Sequence, residues 1–221
     1  MSFGYTILGF GGKASTLPTA DLAIGDRGVY AGGYSAGIND GIEYINITST
    51  STASQDFGDL TKGMAYCGAL SSITRGVIGP HTDDNETCDY ITISSAADAA
   101  IFGELSAART HPGASSNSVR GIWSGGDTNS GVIDYITIAT TGDATDFGEL
   151  TDEKNGGAAT SDAARSIFAG GKDSGDAVPD TMEYITIFST GSGTDFGELT
   201  VARTQVRGAS NGTRGIFAGG T

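Results

Sequence analysis

A unit of about 45 residues, written repeatedly along the chain, limits what this sequence can fold into more than any other feature. Three markers recur in fixed order. The first is an Arg followed by a short apolar run and usually a glycine pair, as in DRGVYAGG (Asp26 to Gly33) and TRGIFAGG (Thr213 to Gly220). Its arginines, Arg27, Arg75, Arg120, Arg165 and Arg214, are separated by 48, 45, 45 and 49 residues. The second reads IEYINI, CDYITI, IDYITI or MEYITI and carries Tyr44, Tyr90, Tyr135 and Tyr184 at spacings of 46, 45 and 49. The third, DFGDL, IFGEL, DFGEL and DFGEL, carries Phe57, Phe102, Phe147 and Phe196 at 45, 45 and 49. A fourth stretch, rich in small residues, precedes each later Arg: CGALSS, PGASSN, GGAATS and RGASN.

Each of the four reads as a strand. The Tyr segments alternate β-branched and polar residues, the Arg segments are apolar runs closed by glycine, and no window sustains a 3.6-residue period. The expected class is all-β with helix content near zero. Four strands in about 45 residues is the size of a propeller blade. The ends set the blade count at five: FGYTIL (Phe3 to Leu8) matches the Tyr strand, and STLPTA (Ser15 to Ala20) resembles the stretch after the Phe strand. The sequence therefore predicts a five-bladed β-propeller filling residues 1–221 as one domain. Blade 1 joins 3–20 to 206–220 as a closure blade shared by both terminal segments, and blades 2 to 5 span 21–61, 64–106, 111–151 and 156–200. Such a shared blade would remove a free sheet edge.

Position within a blade predicts structural roles. Gly68, Gly113, Gly157 and Gly208, each followed by Ala, should lie on the innermost strand, where bulk would clash. The Phe residues should be buried between neighbouring blades, and the glycine pairs should take backbone conformations closed to other residues. Arg27, Arg120 and Arg165 are expected to pair with Asp56, Asp146 and Asp195 of their own blades, while Ile101 leaves Arg75 to find another partner. These Arg, Tyr and Phe positions form the structural repeat.

A glycine pair after an apolar strand, a Tyr strand preceded by an acidic residue, and an aromatic followed by Leu and Thr resemble the kelch repeat of β-propellers. Kelch blades usually carry Trp where this chain has Phe57, Phe102, Phe147 and Phe196, and Gly79-Pro80 replaces one glycine pair. The repeat wording, EYITI with DFGEL and RGIFAGG, is also similar to repeats in structural proteins of marine bacteriophages, cyanophages among them. That resemblance implies a virion component.

Composition narrows the partners. Asp and Glu outnumber Lys and Arg 26 to 12, giving a net charge of −14 with no basic run, so nucleic acid and anionic lipid are disfavoured. No apolar stretch is long enough to span a membrane, and the start of the sequence lacks the pattern of a signal peptide. Cys67 and Cys88 fall on strands two apart in one blade, too far for a bridge, and are expected as buried thiols. His81 and His111 are read as solvated loop histidines; two histidines with no third make a zinc site improbable. No Ser/His/Asp or paired-carboxylate group stands out from the repeat, so no catalytic residue, metal or cofactor is expected.

Recognition, if present, should use the loops after the glycine pairs, which vary most in length and are rich in Asp, Asn and Gly. The candidate binding residues are Asn39, Asp40, Asp83, Asp84, Asn85, Asp127, Asn129, Asp173 and Asp176. Asp127, Asn129 and Gly131 echo a calcium loop without its distal Glu. The expected function is a non-catalytic structural and interaction module of a phage particle, a decoration, appendage or tail-associated protein whose partners are other virion proteins. The alternative is a lectin-like adhesin that binds a host-surface glycan.

Overall fold

A computed structural model of the chain describes residues 6–7, 27–34, 36–47, 53–127 and 131–221, the first two by their backbone alone. Every regular element among them is a β-strand. The first sheet takes β1 (Thr6–Ile7), β2 (Arg27–Ala31), β3 (Gly41–Asn46) and β4 (Gln55–Asp59) in that order. The second takes β5 (Gly68–Ser71), β6 (Arg75–Gly79), β7 (Thr87–Thr92) and β8 (Ala100–Glu104). The third is β9 (Gly113–Ser116), β10 (Arg120–Ser124), β11 (Val132–Thr137) and β12 (Thr145–Glu149). The fourth is β13 (Ala158–Ser161), β14 (Arg165–Ala169), β15 (Thr181–Thr186) and β16 (Thr194–Glu198), and the fifth pairs β17 (Arg207–Ser210) with β18 (Gly215–Ala218). All pairings are antiparallel between neighbours in sequence, so short turns suffice throughout.

Local chemistry sets the turns. Between the first and second strands of a sheet, Ser72 Oγ, Asn117 Oδ1, Asp162 Oδ1 and Asn211 Oδ1 accept the amides of Arg75, Arg120, Arg165 and Arg214 at 3.1, 2.7, 2.6 and 2.9 Å. At the other end of the second strand, Gly32 and Gly33 stand at φ 66° and 109°, and Gly125, Gly126, Gly170 and Gly171 repeat that pattern. The third and fourth strands carry the same bulge in four sheets. Ile42 pairs with Gly58 and Glu43 with Asp56, so Phe57 is the extra residue, and Phe102, Phe147 and Phe196 hold the same place.

The core lies between sheets. Phe57 packs with Val29, Ile42, Ile78 and Ile91 between the first and second sheets, Phe102 with Trp123, Ile136 and Ile138 between the second and third, and Phe147 with Phe168, Ile185 and Ile187 between the third and fourth. The small-residue strands lie side by side in the order β5, β9, β13 and β17. They surround an apolar cavity of about 260 Å³ lined by Gly68, Gly113, Gly157, Gly208 and their alanines. Side chains larger than these would close it, since a Cβ on Gly68 would stand 2.6 Å from that of Ala114.

Two expectations are corrected here. The arginines do not pair with Asp56, Asp146 and Asp195. Arg27, Arg75, Arg120 and Arg165 lie over the rings of Tyr44, Tyr90, Tyr135 and Tyr184 at 4.5, 4.4, 4.3 and 5.6 Å. Arg27, Arg75 and Arg120 also donate to the carbonyls of Ile93, Ile138 and Ile187 in the next sheet. Register is the reason: the Tyr strand is adjacent to the Arg strand, whereas the Asp strand is one strand further away. Of the 3–20 segment, Thr6–Ile7 pairs with Tyr30 and Ala31 of β2 in the first sheet. That pairing gives β2 an inner neighbour, the role β5 plays for β6; the rest of the 3–20 segment lies outside the described residues. Second, His81 is not solvated but 2% exposed. Cys67 and Cys88 are buried, and neither is in a disulfide.

Candidate functional site

The repeat places one acidic residue at the same point of each third strand, and three of them are fully enclosed. Asp89, Asp134 and Glu183 accept the amides of Thr61, Ser106 and Thr151 at 2.8, 3.1 and 2.7 Å, from the segment that follows the Phe strand. A buried carboxylate needs a cation as well. Arg109 supplies it to Asp134 and Lys154 lies 3.7 Å from Glu183, all four groups being at most 2% exposed. Burial lowers the pKa of both cations, and the adjacent carboxylates oppose that shift. Met64 occupies the corresponding position in the second sheet, where His81 Nε2 approaches Asp89 at 3.1 Å and the Thr61 hydroxyl donates to it at 2.7 Å. This is why His81 is buried.

The loops after the glycine pairs meet the segments between fourth and first strands at one end of the sheets. Amides of Gly33, Gly126 and Gly171 donate to the carbonyls of Met64, Lys154 and Arg203 across that meeting. There the residues just before the small-residue strands, Tyr66, His111, Gly156 and Gln205, all take left-handed φ values of 59°, 58°, 71° and 56°. Their backbones form a chain of hydrogen bonds around the mouth of the inner strands. His111 N donates to Tyr66 O at 2.8 Å, Gly156 N to His111 O at 3.3 Å, and Gln205 N to Gly156 O at 2.7 Å. Glycine would take this conformation without strain, so keeping it at Tyr66, His111 and Gln205 costs about 1 kcal/mol or more each.

Those side chains border a pocket of about 340 Å³ with Tyr34, Cys67 and Arg207. The rings of Tyr66 and His111 stack at 4.4 Å with an interplanar angle of 26°. Thr110 Oγ1 donates to Asp127 Oδ2 at 2.7 Å, and His111 Nδ1 lies 3.3 Å from the same oxygen. Burial lowers the His111 pKa from its ordinary 6.5, the Asp127 carboxylate opposes that shift, and Arg207 adds to it. A histidine so shifted favours the neutral form in the folded chain, so its contribution to stability is present above pH 6.5 and is lost as pH falls below it. The expected NMR titration midpoint of His111 lies below 6.5, and Asp127→Asn should lower it further by removing the carboxylate that favours the imidazolium.

The loop residues anticipated from sequence form turns beside this mouth. Asn39 Oδ1 accepts the Gly41 amide, and the Asp40 carbonyl accepts the Leu60 amide. Asp83 lies 4.0 Å from Lys62. Asp84 caps the next strand through the amides of Glu86 and Thr87; burial would raise its pKa, but those bonds, the Thr87 hydroxyl and His81 together hold it below 3.8. Asn85 stands at φ 61°, with its carbonyl accepting the Arg109 amide. Asp173 Oδ1 accepts the amides of Gly175 and Ala177, and Asp176 contacts Lys172. Asn129 lies outside the described residues. Among the described members of this set, Asp127 reaches a pocket-lining side chain, His111. Among the described residues no group of three His, Cys, Asp or Glu is placed to hold a metal ion.

No family model matches this chain, and no curated protein is found to match it.

Proposed function

We propose that the chain is a five-bladed β-propeller serving as a non-catalytic structural and interaction module of a phage particle. The observation that carries the propeller reading is the convergence of four equivalent small-residue strands on one cavity, with the core distributed between successive sheets. The repeated polar residues support a scaffold role, because they are spent on joining one sheet to the next. The arginines stack on tyrosines and reach neighbouring carbonyls, and the enclosed acids hold the segments between sheets. Resemblance of the repeat wording to marine phage structural proteins supports the virion. Among the described residues no helix is long and apolar enough to cross a membrane.

A second reading, a glycan-binding adhesin, draws on the mouth pocket. Stacked Tyr66 and His111, the Gln205 amide and the Arg207 guanidinium offer an aromatic surface and polar donors in a pocket of ligand size. Mass spectrometry of purified particles from a phage encoding the chain, together with a glycan array probed with the isolated chain, decides between the two. The module reading expects the chain among particle proteins and no reproducible glycan signal. Its absence from particles overturns the virion assignment, and glycan binding abolished by Tyr66→Ala favours the adhesin.

A further inference from the structure

The enclosed acid of the second sheet is held differently from those of the third and fourth. Arg109 serves Asp134 and Lys154 serves Glu183, but the repeat places Met64 where the cation for Asp89 would stand. Asp89 is fully buried and accepts the amide and hydroxyl of Thr61, with His81 Nε2 3.1 Å away. These contacts fix the histidine's tautomer. The Thr61 hydroxyl spends its hydrogen on Asp89, so both that carboxylate and the Thr61 oxygen, 3.2 Å from Nε2, ask Nε2 to donate. Nδ1 is left with a bare lone pair. It belongs to a side chain 2% exposed and has no hydrogen-bond partner among the described residues. Asp84 Oδ2 stands 3.9 Å from it, another acceptor and beyond hydrogen-bond range. Asn85, whose amide donates to His81 O at 2.9 Å, adds a buried Oδ1 that is likewise without a partner among the described residues. One turn thus gathers three acceptors, two of them enclosed and unmatched by a donor. A bridging water could donate to two of them but would bring no charge to an enclosed carboxylate.

We propose that the turn His81–Asn85 binds one divalent transition-metal ion of the zinc class, with His81 Nδ1 and Asp84 Oδ2 as ligands and Asn85 Oδ1 as the further acceptor on the same turn. Two metal–ligand bonds of about 2.0–2.2 Å reach across the 3.9 Å gap, and the Asp84 side chain, 38% exposed, has room to close it further. Asp84 is already oriented for this: Oδ1 takes the amides of Glu86 and Thr87, and Oδ2 takes the Thr87 hydroxyl with capacity left for an ion. An imidazole ligand selects a first-row ion such as zinc over calcium or magnesium, which prefer oxygen. The order Asp89, His81, ion is the arrangement in which an outer carboxylate orients a ligating ring and raises its basicity. Two histidines without a third weigh against zinc in the sequence; a carboxylate and an amide oxygen take the missing places. The second sheet then draws from a bound ion the positive charge that the third and fourth draw from Arg109 and Lys154.

The test is a zinc titration of the intact chain, stripped beforehand with a chelator, read by calorimetry and by the ring-nitrogen NMR signals of both histidines. One ion per chain is expected, with the Nδ1 signal of His81 displaced and the unfolding midpoint raised. Magnesium and calcium at the same concentration should do neither. Asp84→Asn keeps an oxygen for the amides of Glu86 and Thr87, so the turn should still form while zinc binds about tenfold more weakly or worse. His111→Gln removes the histidine beside Asp127 and should leave zinc affinity unchanged. No binding at about 100 μM zinc, an undisturbed His81 signal on saturation, indifference to Asp84→Asn, or binding lost with His111→Gln would overturn the site. None of these results bears on the particle and glycan measurements, so the site and the functional reading stand or fall separately.

Discussion

Arg109→Ala is expected to destabilise the fold by about 3–5 kcal/mol, because it strands the fully buried Asp134 without its cation. Asp134 is fully buried, and its Oδ1 already lacks a hydrogen-bond partner, so the Arg109 contact and the Ser106 amide are what oppose its desolvation. The guanidinium also donates to the carbonyls of Ala107 and Val132, which lose those bonds with it. In a chain of this size the loss should lower the unfolding midpoint by roughly 6–20 °C. Two comparisons separate a stranded charge from lost packing. Arg203→Ala, at the equivalent but only half-buried position, should cost no more than about 1 kcal/mol. Replacing both partners, Arg109→Met with Asp134→Leu, should recover most of the loss, since removing an enclosed pair together is far less costly than removing one half. The second sheet shows what a lone replacement of the cation requires: Met64 stands at the cation position, and the buried Asp89 is held instead by Thr61 and His81. If the single and double replacements were equally destabilising in a denaturant titration, the electrostatic account would be wrong.

How much of this was readable in advance depends on whether a residue's partner shares its period. The strand pattern was legible because Arg, Tyr, Phe and the small residues each keep one place in every sheet, and repetition averages out local ambiguity. The arginine partner was not. Asp56 and Tyr44 both recur in step with Arg27, and it takes the sheet order to show that Tyr44 lies on the neighbouring strand. His81 was misjudged because its burial follows from an exception, the Met at position 64, rather than from any property of its loop. The signal was present in the repeat, where Met64, Arg109, Lys154 and Arg203 align while Asp89, Asp134 and Glu183 stay acidic. The mouth residues were missed for a related reason. Tyr66, His111, Gly156 and Gln205 look unrelated as side chains, and only their common left-handed backbone reveals them as one position. Variation inside the constant frame marks both the enclosed cation position of Met64, Arg109 and Lys154 and the mouth position of Tyr66, His111, Gly156 and Gln205, and only the structure tells the two apart.

The four copies of the Phe-Gly bulge give an internal control for how one sheet is locked to the next. Gly58→Ala is expected to cost about 3 kcal/mol or more, whereas Gly197→Ala should cost about 1. Both glycines have positive φ, 140° and 129°, so each replacement pays a similar conformational penalty. They differ in what a Cβ would strike. At Gly58 it would lie 2.6 Å from the carbonyl carbon of Ala97 and 2.7 Å from the amide of Asp98, backbone that cannot swing aside as a side chain would. That turn is also fixed in place: the Ala99 amide donates to Asp59 O at 2.8 Å, and the Asp59 amide donates to Asp98 Oδ1 at 3.1 Å. Relief of the clash would therefore separate the first and second sheets and loosen Phe57 beneath them. Gly148 stands in the same relation to Gly191, 2.5 Å from its carbonyl oxygen, and should behave like Gly58. At Gly197 the nearest atom to an added Cβ is Met182 Cε at 4.0 Å. Equal destabilisation of Gly58→Ala and Gly197→Ala in urea would mean that backbone strain alone governs the position and that contact between sheets contributes nothing there. A large gap between them would place the locking energy in the close approach of one sheet's outer strand to the next sheet's turn.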